Sequence, residues 1–273
     1  MLFLDKVIML KKSRIGRAQK AYAKKDVGAS KDAHTKEEIH EEKHTKEQGQ
    51  YLGDYVYGAL DGIITTFAIV SGVEGAGLSN SIVLILGFAN ILADGISMGV
   101  GNYLSTKTEL EYIENEKRRE LWEIEHVPEG EREEIRAIFK KKGFKGKDLE
   151  RAVEIITSDK EIWLRTMMLE ELGLTEEDKT PVHSGIATFI AFIIAGLVPL
   201  FPFVLALIFP GLMINRFLIS IILTGIVLFG VGAFKTRITE VNWIRSGIEM
   251  TLVGGAAAAV SFFVGHFLRG LGL

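Results

Sequence analysis

The stretch GALDGIITTFAIVSG (residues 58–72) carries a single charged residue, Asp61, among fourteen uncharged ones. It lies within an apolar run at 51–73, which has about the 20 residues that a helix needs to cross a bilayer. An aspartate at that depth costs roughly 2.5–3.5 kcal/mol on insertion scales, so it is retained mainly where it faces protein or water and has a function. The stretch therefore predicts a membrane-spanning helix with a functional carboxylate.

Four more apolar runs of similar length follow along the chain, at 81–105, 183–207, 216–234 and 246–268. Pro199 and Pro202 predict that the third helix kinks or ends early, because proline has no N–H to donate and its ring clashes with the preceding turn. We therefore expect an all-α polytopic membrane protein with five transmembrane helices. An acidic helical domain is expected between the second and third of them.

The charged residues make up 25% of the 273 residues and are concentrated outside the apolar runs. Residues 106–182 hold 21 of the 35 acidic residues, and their helical patterns stop at Pro128, Gly143 and Gly173. Residues 1–50 are polar and lysine-rich, which is typical of a mobile tail. The predicted organisation is a tail at 1–50, helices 1 and 2 at 51–105, the acidic domain at 106–182, and helices 3–5 at 183–273.

The positions of lysine and arginine predict the orientation in the membrane. The tail, the acidic domain and the loop before the fifth helix contain basic residues, whereas the loops at 74–80 and 208–215 contain none. We therefore predict a cytoplasmic N-terminus, a cytoplasmic acidic domain and an external C-terminus. The absence of a signal-peptide pattern and a cysteine-free, lysine- and glutamate-rich composition favour a prokaryotic plasma membrane. A net charge of −3 without a basic, aromatic patch argues against a nucleic-acid partner.

The second predicted span carries a series of polar and thioether side chains at every fourth residue: Asn90, Asp94, Met98 and Asn102. This spacing places them on one face of the helix. They are either hydrogen-bonding residues that hold helices together or the lining of an ion path. The ion path is favoured, because the face adds a second carboxylate to that of Asp61 and a methionine in line with it.

Glutamates of the acidic domain form two closely spaced pairs. Glu120 and Glu123 are three residues apart on one predicted helix, and Glu131 and Glu134 are three apart on the next. Carboxylate pairs on successive helices are the arrangement that holds divalent metal ions in helical carboxylate proteins. A solvated helix face that pairs with nearby lysines is the alternative interpretation of the same residues.

The last helix of the acidic domain adds Met167, Met168 and Glu171. Methionine usually fills a core, so two adjacent methionines in a charged segment are unexpected. Thioethers beside carboxylates favour Fe²⁺ or another first-row ion over Ca²⁺.

Glycine pairs with small-xxx-small spacing occur in both of the first two spans. Gly58 and Gly62 form one pair, and Gly95 and Gly99 form the other. Such pairs allow two helices to approach closely, within one subunit or between two.

The stretches DGIITTFAIVSG (61–72) and ADGISMGVGNYLS (93–105), with five spans and an acidic helical insert, resemble the vacuolar iron transporter family over about residues 51–270. The resemblance implies a homodimeric carrier without a prosthetic group that exchanges cytosolic Fe²⁺ for protons across the lipid bilayer. Its ion path would lie between the subunits, and a cytoplasmic domain would bind the metal.

The resemblance also assigns roles to particular residues. The family's first-span aspartate corresponds to Asp61 and its second-span methionine to Met98. The metal-binding residues of its cytoplasmic domain correspond to Glu120, Glu123, Glu131, Glu134, Met167, Met168 and Glu171. Many members have glutamate where this chain has Asn102, which would weaken a second intramembrane carboxylate or alter proton coupling.

These observations predict a secondary transporter, rather than an enzyme, that exports Fe²⁺ in exchange for protons, with Asp61 as the proton carrier. Mn²⁺, Co²⁺ and Zn²⁺ are further candidate ions. A membrane-anchored iron sensor or store is the alternative. A membrane-embedded di-iron enzyme is a third candidate. The absence of a Glu-x-x-His pair from the spans argues against it. The roles of Glu249 and of the tail histidines His34, His40 and His44 stay open.

Overall fold

The computed structural model describes residues 17, 21–22, 24–32, 50–175, 179–209, 215–239 and 241–272. Within the N-terminal unit, residues 1–46, it describes helix α1 (Val27–Asp32). The Asp26 carboxylate accepts a hydrogen bond from the N–H of Ala29 at 3.0 Å and so stabilises the start of α1. The tail histidines lie outside the described residues, as does most of the predicted mobile tail.

The second unit, residues 47–273, contains eight described helices, and no strand occurs among its described residues. They are α2 (Leu52–Ala76), α3 (Asn80–His126), α4 (Pro128–Lys141), α5 (Gly146–Thr157), α6 (Lys160–Glu170), α7 (Pro181–Ile208), α8 (Arg216–Thr239) and α9 (Trp243–Gly270). Helices α2, α3, α7, α8 and α9 are long and apolar enough to cross a membrane. The predicted all-α fold with five transmembrane helices is therefore confirmed.

Helix α3 is much longer than a membrane-spanning helix. Its 47 residues extend for about 70 Å, more than twice the roughly 30 Å of the hydrocarbon core. The apolar first half is therefore the spanning part, and the charged second half continues without a break into the acidic domain. Asp94 and Glu120 lie on this one helix, about 39 Å apart along its axis.

Close packing between the transmembrane helices depends on the predicted glycine pairs. A Cβ atom at Gly58 or Gly62 of α2 would lie 2.3 Å from a backbone carbonyl oxygen of α7, that of Thr188 or Phe192 respectively. A Cβ atom at Gly99 of α3 would lie 3.0 Å from the Cβ atom of Phe189. The small residues therefore allow α7 to pack against both α2 and α3 within one subunit.

Replacing Gly62 with alanine is expected to destabilise the helix bundle. The new methyl group has to push α2 away from the α7 backbone, which should lower the free energy of unfolding by about 1–3 kcal/mol. Thermal unfolding of the detergent-solubilised protein measures this. Gly225→Ala on α8 is the matched control, because a Cβ atom there has no neighbour within 4 Å. Equal unfolding temperatures for the two variants would contradict the packing account.

Helix α7 continues through both of its prolines and ends only at Ile208. The expectation that this helix ends early is therefore wrong. Pro199 and Pro202 are both buried, and the Ser220 hydroxyl of α8 donates a hydrogen bond to the carbonyl oxygen of Pro199 at 2.7 Å. This bond ties α8 to α7 beside the prolines, whereas the carbonyl oxygens that lose their helical partners to the prolines are those of Ala195 and Val198.

Candidate metal sites

The second half of α3 and helices α4–α6 share one apolar core, to which both predicted methionine ligands belong. Met167 is fully buried and Met168 nearly so. The other buried residues of this core are Ile113, Ile124, Ile135, Leu149, Val153, Trp163 and Leu164. Packing in this core accounts for the two methionines in a charged segment, and their role as ligands stays a prediction.

Two glutamates are buried beside this apolar core. The Glu120 side chain is 1% exposed and shares a face of α3 with Ile113 and Ile124, while Glu131 is 6% exposed and precedes Ile135 by one turn of α4. The Oε2 atoms of both are buried without a hydrogen-bond partner among the described residues. Buried carboxylate oxygens without partners are costly, and a bound cation would offset that cost.

Glu120, Glu123 and Glu131 each offer one carboxylate oxygen within 4.8 Å of the other two. A cation that binds oxygen at about 2.1–2.4 Å holds opposite ligand atoms about 4–5 Å apart, so one divalent ion can contact all three. The buried face of α3 supplies Glu120, the adjoining half-exposed face supplies Glu123, and the first turn of α4 supplies Glu131.

Glu134 and Glu171 add two more carboxylates from α4 and from the residue after α6. Their side chains are hydrogen-bonded to each other and exposed, and both interact electrostatically with the buried pair. The structure therefore brings together all five glutamates that the sequence predicted. We call this set the glutamate cluster: Glu120, Glu123, Glu131, Glu134 and Glu171.

Burial and mutual repulsion raise the pKa of two members of the glutamate cluster. Burial, together with the charges of Glu134 and Glu120, raises the pKa of Glu131 from 4.5 to about 7. Partial burial and the same two charges raise the pKa of Glu171 to about 7 as well. At neutral pH a divalent ion therefore competes with protons for these oxygens.

Metal binding at the cluster is expected to weaken as the pH falls below 7, by up to about tenfold per pH unit for each proton displaced. Binding weakens in this direction because protons occupy the Glu131 and Glu171 oxygens below a pKa of about 7. Without metal, the stability that protonated Glu131 and Glu171 contribute is complete below about pH 4.5 and is lost as the pH rises through about 7. Thermal unfolding with and without Mn²⁺ at pH 5.5, 7.0 and 8.5 measures both effects. A Mn²⁺-induced shift that is identical at all three values would contradict this prediction.

Asp61 on α2 and Asp94 on α3 form a second group of carboxylates, within the transmembrane helices. The two are close enough to interact electrostatically, and both are half-buried. Asn90 and Met98, one turn to either side of Asp94, are half-buried too, and the Nδ2 atom of Asn90 has no hydrogen-bond partner among the described residues. The predicted face of α3 therefore runs beside Asp61, at the margin of the buried interior.

Asn102, the last member of the series, connects α3 to α7. Its Nδ2 atom donates to the carbonyl oxygen of Ser184 at 3.2 Å and to the hydroxyl of Thr188 at 2.7 Å. These bonds match the interpretation of the series as residues that hold helices together. A role of Asn102 in an ion path stays a prediction.

Asp54 is a candidate that the sequence did not single out. It lies two turns before Asp61 on nearly the same face of α2, is 7% exposed, and pairs with Lys179, whose Nζ atom is 3.3 Å from Oδ1. Its Oδ2 atom has no hydrogen-bond partner among the described residues. The seven-residue spacing between Asp54 and Asp61 was the feature of the sequence that could have indicated it. Glu249, whose role was open, lies exposed on α9.

The helices and the two carboxylate groups define the class: an integral membrane protein with acidic side chains both at bilayer depth and in a helical domain outside it. The chain belongs to the VIT family, whose sequence model matches residues 52–266.

Named relatives resemble the chain over most of its length. It is 38% identical over 265 residues to a vacuolar iron transporter of Toxoplasma gondii, covering 93% of this chain and 88% of that protein. It is 38% identical over 267 residues to a vacuolar iron transporter of Plasmodium berghei, covering 94% and 97%. It is 35% identical over 224 residues to vacuolar iron transporter 1 of Arabidopsis thaliana, covering 82% and 88%.

Proposed function

We propose that this protein is a secondary transporter that carries Fe²⁺ across a membrane in exchange for protons. The observation that carries the proposal is the pair of carboxylates Asp61 and Asp94, on neighbouring helices within a five-span fold. Acidic residues at that depth are costly and are characteristic of ion pathways. The relatives named vacuolar iron transporters support iron as the ion.

The exchange follows from the charges of the carboxylate pair. Two nearby carboxylates repel each other, and a divalent cation between them neutralises both. When the ion leaves, protons replace it as the neutralising charge, and Asp61 is our candidate for the proton carrier. Met98 would add a thioether ligand one turn from Asp94. Carboxylate and thioether ligands also admit Mn²⁺, Co²⁺ and Zn²⁺, which we propose as further substrates.

A homodimer would complete the ion path. The α3 face that carries Asp94 and Met98 is half-buried, and it borders exposed apolar residues that include Leu86, Ala93 and Leu104. A second copy that covers this border would enclose the path between two subunits, as the family resemblance implies.

The glutamate cluster would collect the ion on the cytosolic side. The distribution of lysine and arginine supports a cytoplasmic N-terminus and acidic domain with an external C-terminus. This proposal retains the division into a tail at 1–50, spans at 51–105, an acidic domain at 106–182 and spans at 183–273. The membrane is either a prokaryotic plasma membrane, as predicted, or that of an organelle, as the relatives' names suggest.

The test is Fe²⁺ uptake by proteoliposomes that contain the protein and a pH-sensitive dye in the lumen, under anaerobic conditions. Uptake accompanied by proton movement in the opposite direction supports an exchanger. Uptake without proton movement supports transport but contradicts the exchange.

A sensor or store is the second candidate function. The separation of about 39 Å between Glu120 and Asp94 makes metal binding at the cluster possible without transport. Fe²⁺ binding by the solubilised protein without any uptake would favour this function over transport.

A further inference from the structure

Arg119 on α3 holds two members of the glutamate cluster in ion pairs. Its Nη2 atom lies 2.9 Å from Glu120 Oε1, and its Nη1 atom lies 2.8 Å from Glu123 Oε2. The same Nη2 atom is also 2.9 Å from Glu116 Oε2, on the preceding turn of the helix. One guanidinium group thus bridges three carboxylates, of which two are candidate metal ligands.

We propose that Arg119 is an internal competitor for the metal ion and sets the affinity of the glutamate cluster. The proposal rests on the proposed role of the cluster in collecting the ion. A divalent cation bound to Glu120 and Glu123 would lie within roughly 5 Å of the guanidinium group, where two positive charges repel strongly. Charge-assisted hydrogen bonds also draw electron density from the oxygens that the metal needs. Binding of the ion therefore favours the release of both glutamates by Arg119.

The surroundings of Arg119 allow this release over a short distance. Its side chain is 45% exposed, so water can solvate the guanidinium group once it moves. Glu116 is outside the set of candidate ligands, and it accepts a further bond from the Arg119 Nε atom at 3.0 Å. Arg119 can therefore keep its pair with Glu116 while it gives up Glu120 and Glu123.

The burial of Glu120 explains why an internal cation is useful there. Its Oε1 atom is paired with Arg119, whereas its Oε2 atom is buried without a partner among the described residues. Arg119 thus compensates part of the buried charge before the ion arrives. A cluster whose charge is already partly compensated binds a divalent ion less tightly, and the ion leaves it more readily.

The test compares Arg119→Gln with Arg118→Gln in the full-length, detergent-solubilised protein, with Mn²⁺ binding measured by electron paramagnetic resonance. Arg118 is the matched control, because its guanidinium donates to Asn115 Oδ1 at 2.6 Å and to the carbonyl oxygen of Glu114 rather than to the cluster. We expect the Kd for Mn²⁺ to fall at least about tenfold in Arg119→Gln and to stay within about twofold of the wild-type value in Arg118→Gln. Dissociation into excess chelator should slow by a similar factor in Arg119→Gln only.

Arg119→Lys provides a second variant should the glutamine variant fail to fold. It keeps the positive charge but loses the planar guanidinium group that pairs with several carboxylates at once. Its Kd should therefore lie between those of the wild type and Arg119→Gln. An unchanged or higher Kd in the Arg119 variants overturns the proposal, since it would make the arginine a support for the ligands rather than a competitor.

Failure of the proposed function has a different signature. If Arg119→Gln binds Mn²⁺ more tightly but wild-type proteoliposomes take up no Fe²⁺, the result supports competition by Arg119 and contradicts the proposed transport function. Wild-type protein that binds no Mn²⁺ would overturn the competition and the role of the cluster together.

Discussion

Fe²⁺ uptake by proteoliposomes is expected to fall to background when Asp61 is replaced by asparagine. The substitution keeps the shape of the side chain but removes the negative charge that faces Asp94. Loss of one charged partner from a desolvated site typically costs about 3–5 kcal/mol, which corresponds to a decrease of roughly 150- to 5000-fold. Proton movement coupled to Fe²⁺ should disappear with the uptake.

The controls for this experiment separate transport from folding and from metal capture. Asp61→Asn should match the wild type in elution from a sizing column and in Mn²⁺ binding at the glutamate cluster, which the substitution leaves untouched. Asp148→Asn removes an exposed carboxylate of α5 and should transport normally. Transport by Asp61→Asn at the wild-type rate would remove Asp61 from the path and leave the proton carrier to be sought elsewhere.

Glu131→Gln is expected to change binding and stability in opposite directions. The variant loses a candidate ligand, so Mn²⁺ affinity should fall by about 100-fold and the Mn²⁺-induced rise in unfolding temperature should largely vanish. Without metal, however, it should unfold at a higher temperature than the wild type near pH 8. The neutral amide removes the cost of burying a charge and the repulsion from Glu134 and Glu120, which together raise the pKa of Glu131 to about 7.

Glu129→Gln is the matched control for the binding experiment. It lies in the same first turn of α4, its side chain is 90% exposed, and it faces away from the cluster toward Arg132. It should leave both Mn²⁺ binding and metal-free stability within error of the wild type. If Glu131→Gln bound Mn²⁺ normally, or lost stability without metal, the buried carboxylate would be a structural residue and not a ligand.

The features that the sequence predicted correctly depend on local patterns. Apolar length sufficed for the five spans, and the helical period and stop signals sufficed for the helices of the acidic domain. The three-residue spacing of Glu120 and Glu123, and of Glu131 and Glu134, placed each pair along one helix. The convergence of the two pairs was an inference from family resemblance and metal chemistry, and the structure supplies the geometry.

The features that the sequence did not decide depend on residues distant in the chain. Asp54 is paired with Lys179, and Asn102 is hydrogen-bonded to α7. No local sequence pattern indicates either contact. Local pattern also failed at Pro199 and Pro202, because α7 packs against α2, α3 and α8 and continues as a helix through both residues. Met167 shows the same limit, since burial in a core and binding of a metal require the same kind of side chain.

In the proposed transporter, the unbroken length of α3 would fix the distance over which a captured ion has to travel. A rigid helix cannot carry the ion from Glu120 to Asp94, so an ion that leaves the glutamate cluster would cross about 39 Å by diffusion. One ion confined within that radius corresponds to a local concentration on the order of millimolar. The acidic domain would therefore act as a reservoir that keeps the mouth of the path supplied when iron in bulk solution is scarce. The residence time of each ion on the glutamate cluster, rather than the affinity with which it first binds there, would then limit the supply.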